Sequence, residues 1–141
     1  KLCDKYGISP GLLEIEITES IRNAPEIDLK ELIGKLRQAG FTVALDDFGT
    51  EYVNLSLLSS VEFDVLKLDK TMVDDMVNNP KAQAIIESIA GICKKMGIRV
   101  VAEGIETEEQ MSVLRTCGVE TAQGYLFSRP IPVEEYEEKY L

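Results

Sequence analysis

The 141-residue sequence contains no histidine. That absence excludes a Ser-His or Cys-His nucleophile within the chain and any His-ligated zinc. Acid–base work must fall to Asp, Glu, Lys, Tyr or a metal-bound water. Cysteine is scarce: Cys3, Cys93 and Cys117 are far apart, odd in number and in no CxxC spacing. They read as reduced thiols, not as a disulfide framework. No apolar run approaches the roughly 18 residues that a membrane span needs, and the N-terminus does not have the pattern of a signal peptide. No membrane insertion is expected in this segment, and the location it suggests is cytoplasmic. No Lys/Arg cluster stands out, and 15 basic against 25 acidic residues give a net charge of −10. That balance argues against a polymeric nucleic-acid partner and is the ordinary reading of a solvated surface. Neither a second domain nor a low-complexity linker is visible, so residues 1–141 read as one domain or part of one.

What the chain does have is a strand–helix rhythm. Leu29, Leu32, Ile33 and Leu36 fall at helical spacing, with Asp28 as N-cap, Glu31 three residues on and Gly40 as the stop. Ile85, Ile86, Ile89, Cys93 and Met96 form a second stripe that ends at Gly97. Thr107 and Gln110 make a capping box for a third helix carrying Met111 and Leu114, stopped by Gly118. A short helix is expected after Pro132. Strand-like runs lie at Leu12–Ile17, Thr42–Leu45, Val65–Leu68, Ile98–Ala102 and about Glu120–Gln123.

Each repeat runs helix, glycine, strand, polar group and glycine again. Gly40 precedes Asp46 by six residues, Gly97 precedes Glu103 by six, and Gly118 precedes Gln123 by five. Polar groups therefore collect at the carboxyl ends of consecutive strands, where parallel α/β sheets and barrels keep their sites. Alternation within the strands separates Glu14, Glu16 and Thr18 from Leu13, Ile15 and Ile17. It likewise separates Val65, Lys67 and Asp69 from Leu66 and Leu68. One apolar and one polar face fit a barrel with a polar mouth better than an open sheet covered by helices on both sides.

The segment VALDDFGT, Val43 to Thr50, carries the sharpest signal. Two adjacent carboxylates at the end of a buried strand cost several kcal/mol of desolvation unless something positive meets them. A metal ion is the simplest candidate, which suggests metal-assisted chemistry on an anionic substrate. The strand-end groups are Glu16 and Glu19, Asp46 and Asp47, Lys67 and Asp69, Glu103 and Glu106, and Gln123. Each alone has a structural explanation, such as an ion pair or an acid at a helix N-terminus. Five consecutive strand ends carrying such groups favour a shared site. Hard oxygen donors without His or Cys select Mg²⁺ or Mn²⁺.

EITE at Glu16–Glu19, DDFGT at Asp46–Thr50, VLKLD at Val65–Asp69, VVAEGIET at Val100–Thr107 and QGYLFSRPIP at Gln123–Pro132 together resemble the successive signatures of the EAL domain. That family comprises bacterial phosphodiesterases that open cyclic di-GMP to linear pGpG and act in signal transduction. The resemblance implies an α/β fold, the C-terminal part of a TIM-like (β/α) barrel with about five strands present. It implies two divalent cations, Mg or Mn, held by Glu16, Asp46, Asp47 and Glu103. Lys67 would contact the nucleophilic water or the phosphate, and Glu103 would be either that metal-site carboxylate or the general base. Gln123, Asp69 and Glu106 would support that shell or the substrate, and Glu19 would anchor the loop after DDFG.

Two departures from the family pattern follow. The naming E-A-L tripeptide with its metal-binding Glu, and an Asn ligand, do not appear in this sequence. The isolated chain is therefore expected to bind metal poorly, to be inactive alone, and to self-associate or pair with the absent N-terminal strands. In addition, the loop that commonly reads TGYSSL reads TEYVNL here, with Glu51, Val53 and Asn54 replacing a glycine and two serines. An alternative therefore stands beside hydrolysis by the complete domain: a degenerate module that binds cyclic di-GMP or a protein partner without turnover.

Overall fold

Among the described residues, five short parallel strands and the helices between them build the fold. The computed structural model describes residues 1–18, 21, 28–50 and 55–141. In chain order the elements are α1 (Leu2–Tyr6), a 3₁₀ turn (Pro10–Leu12), β1 (Glu14–Thr18), α2 (Leu29–Gln38) and β2 (Thr42–Phe48). Then come α3 (Leu55–Ser60), β3 (Val65–Leu68), α4 (Lys70–Met76), α5 (Pro80–Met96), β4 (Arg99–Ala102), α6 (Glu108–Thr116), β5 (Thr121–Ala122) and α7 (Val133–Tyr140).

Capping residues fix most helix starts. Asp28 accepts from the Glu31 N–H, and Asn79 accepts from those of Lys81 and Ala82 with Pro80 in the first turn. Thr107 and Gln110 form the full reciprocal capping box. Such a cap contributes about 1 kcal/mol. At the far end of α5, Gly97 takes a left-handed φ of 74°, and its N–H returns to the carbonyls of Cys93 and Lys94. A residue without Cβ takes that conformation at least cost.

All strand pairs are parallel and the order is β1-β2-β3-β4-β5, each strand beside its successor in sequence. An open doubly wound sheet reverses its order about a switch point; a barrel wall does not. Register sorts the faces. Ile17, Leu45, Leu66 and Val100 lie in one row across the strands. They join the core with Ile33, Met76, Ile86, Ile89, Cys93 and Leu114 from the helices. Fully burying each large side chain stabilises by roughly 1.5–3 kcal/mol.

On the opposite face, the Arg99 guanidinium lies 3.0 Å from Glu14 Oε2. Glu14 belongs to β1 and Arg99 to β4, which stand about 14 Å apart in a flat sheet at ~4.8 Å per strand. Their contact fits a sheet curled toward its polar face, where side chains standing off the strands converge. The fold is α/β, with five consecutive strands of a TIM-barrel-like wall.

Several expectations need correction. Leu12 lies in the 3₁₀ turn, and β1 starts at Glu14 because Pro10 sets a helical φ that delays extension. β2 runs past Leu45 to Phe48, taking both aspartates into the strand. Ile85 and Met96, placed in the apolar stripe of α5, are 49% and 46% exposed, while Ile86, Ile89 and Cys93 face the core. Helix α4 was not anticipated. Glu19 and the loop positions Glu51, Val53 and Asn54 lie outside the described residues.

Candidate active site

Lys67 organises the carboxyl end of the sheet. Every residue of β3 is buried, and Lys67 retains only 5% exposure. A buried ammonium must find negative partners. Its Nζ lies 2.6 Å from Glu16 Oε1 on β1, 3.1 Å from Asp46 Oδ1 on β2 and 2.8 Å from Glu103 Oε1 after β4. Three strand ends thus converge on one atom. Burial works against the charged form, but the hydrogen bonds to Glu103, Glu16 and Asp46 outweigh it and hold the lysine pKa above its usual value.

The backbone builds this convergence through an irregularity in β2. Leu45 pairs with Leu66 and Phe48 with Leu68, so Asp46 and Asp47 together oppose the single residue Lys67. Two residues against one is the signature of a bulge. Asp47 takes φ 58°, the one positive value among the described non-glycine residues. Aspartate tolerates that region better than most residues but still pays for it. Its N–H donates to Asp46 Oδ1 at 2.9 Å, and its carbonyl accepts from the Thr50 hydroxyl at 3.1 Å. The bulge lets Asp46 face Lys67 while Asp47 forms no ion pair with it.

Gln123 completes the cluster. Its Nε2 donates to Glu103 Oε1 at 2.5 Å, the same oxygen that Lys67 meets. Among the described residues, no side chain donates to the second oxygens of Glu16, Asp46 or Glu103. Within the described residues, Lys67 thus engages one oxygen of each carboxylate and leaves the other without a side-chain donor. The loops that carry Glu103 and Gln123 are stitched together by Ile105 N–H to the Gln123 carbonyl, 3.1 Å, and Leu126 N–H to the Ile105 carbonyl, 2.9 Å. Gly124 permits this approach, since a Cβ there would collide with the Ile105 backbone.

Asp69 and Glu106 are not brought to Lys67. Asp69 caps α4, accepting from the Thr71 N–H at 2.8 Å and hydroxyl at 2.6 Å. Burial would raise its pKa, but those hydrogen bonds more than offset it and hold the carboxyl below its ordinary range. Glu106 pairs with Lys70 at 3.1 Å, and Lys70 also meets Asp74 at 2.8 Å. Both acids instead border a cleft of about 650 Å³ whose lining also includes Glu103, Gln123, Tyr125 and Arg129. Tyr125, Arg129 and Lys70 were not singled out from the sequence. The QGYLFSRPIP segment contained the first two, but nothing in their spacing points to a cleft.

The donor set fits a hard divalent cation in kind: oxygen only, anionic, with uncommitted lone pairs. It is not gathered around a cation position. Among the described residues, no three acidic or cysteine side chains are already spaced to hold a metal ion. The common point of three carboxylates is taken by Lys67 Nζ, so ligation would use their outward oxygens.

Comparison with known proteins decides the family. The family model of the EAL domain matches residues 1–130. The chain belongs to the EAL domain family. It is 35% identical over 138 residues to the cyclic di-GMP phosphodiesterase PA2567 of Pseudomonas aeruginosa, covering 98% of this chain and 24% of that protein. A structure of the EAL enzyme Bd1971 bound to cAMP and cyclic di-GMP superposes with a TM-score of 0.89 at 33% identity. It covers 99% of this chain and 37% of its own. A manganese and cyclic di-GMP complex of Klebsiella pneumoniae BlrP1 gives 0.85 at 39% identity, covering 92% and 34%. The EAL chain described here thus spans about a quarter to a third of the length of these relatives. No helix among its described residues is long and apolar enough to cross a membrane.

Proposed function

We propose that this chain supplies most of the catalytic shell of a cytoplasmic EAL domain that hydrolyses cyclic di-GMP to linear pGpG with two divalent cations, Mg²⁺ or Mn²⁺. The observation that carries the reading is the convergence of Glu16, Asp46 and Glu103 on Lys67. Three anionic groups around one cation leave a net negative site, which attracts divalent ions and would repel a phosphodiester without them. Relatives named as cyclic di-GMP phosphodiesterases, and a relative's complex with manganese and cyclic di-GMP, support the same chemistry.

Glu16 and Asp46 would hold the cations through the oxygens that Lys67 does not engage, with Asp47 reaching the second ion. Bound there, the cations would supply Lewis acidity to the phosphoryl oxygens and an activated water. Lys67 orients the three carboxylates and places a fixed positive charge where the phosphorane develops its own negative charge. Gln123 locks Glu103 by donating to Oε1, which leaves Oε2 as the proton acceptor for the attacking water. In an in-line displacement, the water oxygen would bond to phosphorus as its proton passes to Glu103, and the bond from phosphorus to one ribose oxygen would break, that oxygen taking a proton from solvent to become the free hydroxyl of pGpG.

The domain assignment belongs to the same reading: residues 1–141 would form the C-terminal part of a single EAL-type barrel whose N-terminal strands lie outside these 141 residues. The binding module without turnover rests on Glu51, Val53 and Asn54, and no observation on the described residues favours it. The test incubates the full-length protein with cyclic di-GMP and Mn²⁺ or Mg²⁺, with and without chelator. Metal-dependent appearance of pGpG supports hydrolysis. Tight cyclic di-GMP binding with no pGpG in either metal would overturn it.

A further inference from the structure

Gln110 does more than close the cap of α6. A capping box asks its side-chain oxygen only for the N-cap N–H, here Thr107 at 3.0 Å. Gln110 Oε1 also accepts from the Glu106 N–H at 2.8 Å, and Nε2 donates to Asp74 Oδ1 at 3.3 Å. The same Asp74 oxygen meets Lys70 Nζ at 2.8 Å, and Lys70 reaches Glu106 Oε1 at 3.1 Å. Glu106, Gln110, Asp74 and Lys70 thus form a closed ring that joins α4 and α6 to the loop after β4. Gln110 is buried within it, whereas the Asp74 and Glu106 side chains are half-exposed. Linked hydrogen bonds of this kind strengthen one another and rigidify what they join.

We infer that Asp74 and Gln110 are positioning residues for Glu103, holding the loop 103–106 so that Oε2 is aimed at the attacking water. The inference rests on the proposed general-base role of Glu103 and deepens it. Glu103 Oε1 is pinned by Lys67 and Gln123. With one oxygen pinned, any shift of the Glu103 backbone swings Oε2 about that anchor. The aim of the acceptor is therefore set by the loop. The Glu103 N–H holds the start of the loop to the Leu68 carbonyl at 3.0 Å, and Ile105 holds its middle to the Gln123 carbonyl. At the far end, both the N–H and the carboxylate of Glu106 are held by the ring. Gly104, at φ 69°, rests on the Lys70 stem, where a Cβ would come 2.6–2.8 Å from three of its carbons. Lys70 is kept against the loop by Asp74, and Asp74 by Gln110. Opening the ring frees the loop on that side, and a misplacement of about 1 Å costs up to about a hundredfold in rate.

The test compares Asp74→Ala and Asp74→Asn with wild type in the full-length protein. Asp74 is half-exposed, and replacing it leaves the α6 capping box untouched. Ala opens the ring, whereas Asn keeps an oxygen acceptor for both Lys70 and Gln110. In chelator and without substrate, the Glu106 and Thr107 amides of Asp74→Ala should exchange with deuterium about tenfold faster than in wild type. With Mn²⁺, its kcat on cyclic di-GMP should fall about 10- to 100-fold with KM within about twofold. Asp74→Asn should retain most of the wild-type rate. In a Glu103→Gln background, Asp74→Ala should have no further effect, because it acts through Glu103. Unchanged amide exchange would show that the ring does not hold the loop and overturn the inference. So would an unchanged kcat, or a kcat loss of equal size in the Glu103→Gln background, the mark of a merely structural role. Faster exchange in Asp74→Ala, with a wild type that releases no pGpG, would instead sink the hydrolytic reading, and the positioning role with it.

Discussion

Lys67 Nζ lies 2.6 Å from Glu16 Oε1, a bond that runs from β3 to β1 over the intervening β2. It ties the curl of the sheet to the assembly of the site. The carboxylates would repel one another without it, and the ammonium could not stay buried without them.

Removing the lysine should therefore cost more than removing any one acid. Lys67→Met leaves three clustered carboxylates with no counter-charge, and breaking a buried pair from one side costs about 3–5 kcal/mol. Glu16→Gln leaves two acids on Lys67 and should cost less, about 1 kcal/mol. Urea unfolding in chelator measures both. Mn²⁺ should recover part of the Lys67→Met loss, since a cation replaces the missing charge. Equal losses for the two variants would show that Lys67 is not the hub.

The bulge at Asp47 separates backbone from chemistry. Asp47→Gly removes the carboxylate but suits φ 58°, so stability should hold or rise slightly. Asp47→Ala should be less stable than Asp47→Gly by about 1 kcal/mol, because the left-handed region penalises Cβ. If Asp47 reaches the second cation, both variants lose activity alike. Activity retained in Asp47→Gly alone would mean that the residue serves the turn only.

Asp69 is the acid whose two readings diverge most. As the cap of α4, it should tolerate Asn and lose about 1 kcal/mol as Ala. Its pKa is lowered in the folded state. The stabilisation it gives is therefore present above the unfolded carboxylate pKa and fades as pH falls through the lower folded value. The stability gap between wild type and Asp69→Ala should be full at pH 7 and shrink below about pH 4. A substrate role would show as lost turnover in Asp69→Asn, whose stability is unchanged.

Two glycines give opposite expectations. At Gly124 a Cβ meets the Ile105 backbone, which no side-chain rotation relieves, so Gly124→Ala should cost on the order of 1–3 kcal/mol and loosen the Glu103–Gln123 contact. At Gly91 in α5 nothing lies within 4 Å, and Gly91→Ala should stabilise by about 0.5–1 kcal/mol. Thermal melts of both compare them directly.

Much of this was legible in the sequence because capping residues and strand-end spacing are local. Asp28, Thr107 with Gln110, and Gly97 act where the pattern placed them. The gathering of Glu16, Asp46, Lys67, Glu103 and Gln123 follows from a two-residue period carried to the ends of parallel strands. The bulge was not legible, since adjacent aspartates do not reveal which of them keeps register. Helix α4 escaped because Asp69 was read as a site acid, although Met72, Val73 and Met76 carry a helical pattern behind it. Arg129 over Tyr125 is a contact between loop residues, and no periodicity encodes it.

The central claim is that the carboxylates on Lys67 are a cation-dependent hydrolytic centre. Its most direct test is cyclic di-GMP turnover by full-length protein carrying Glu103→Gln, measured against wild type at saturating Mn²⁺. The amide keeps a partner for Lys67 but cannot accept the proton of the attacking water. The account predicts folded protein that binds cyclic di-GMP and releases pGpG at least a hundredfold more slowly, about the scale of a lost general base. Turnover within a few-fold of wild type would contradict it.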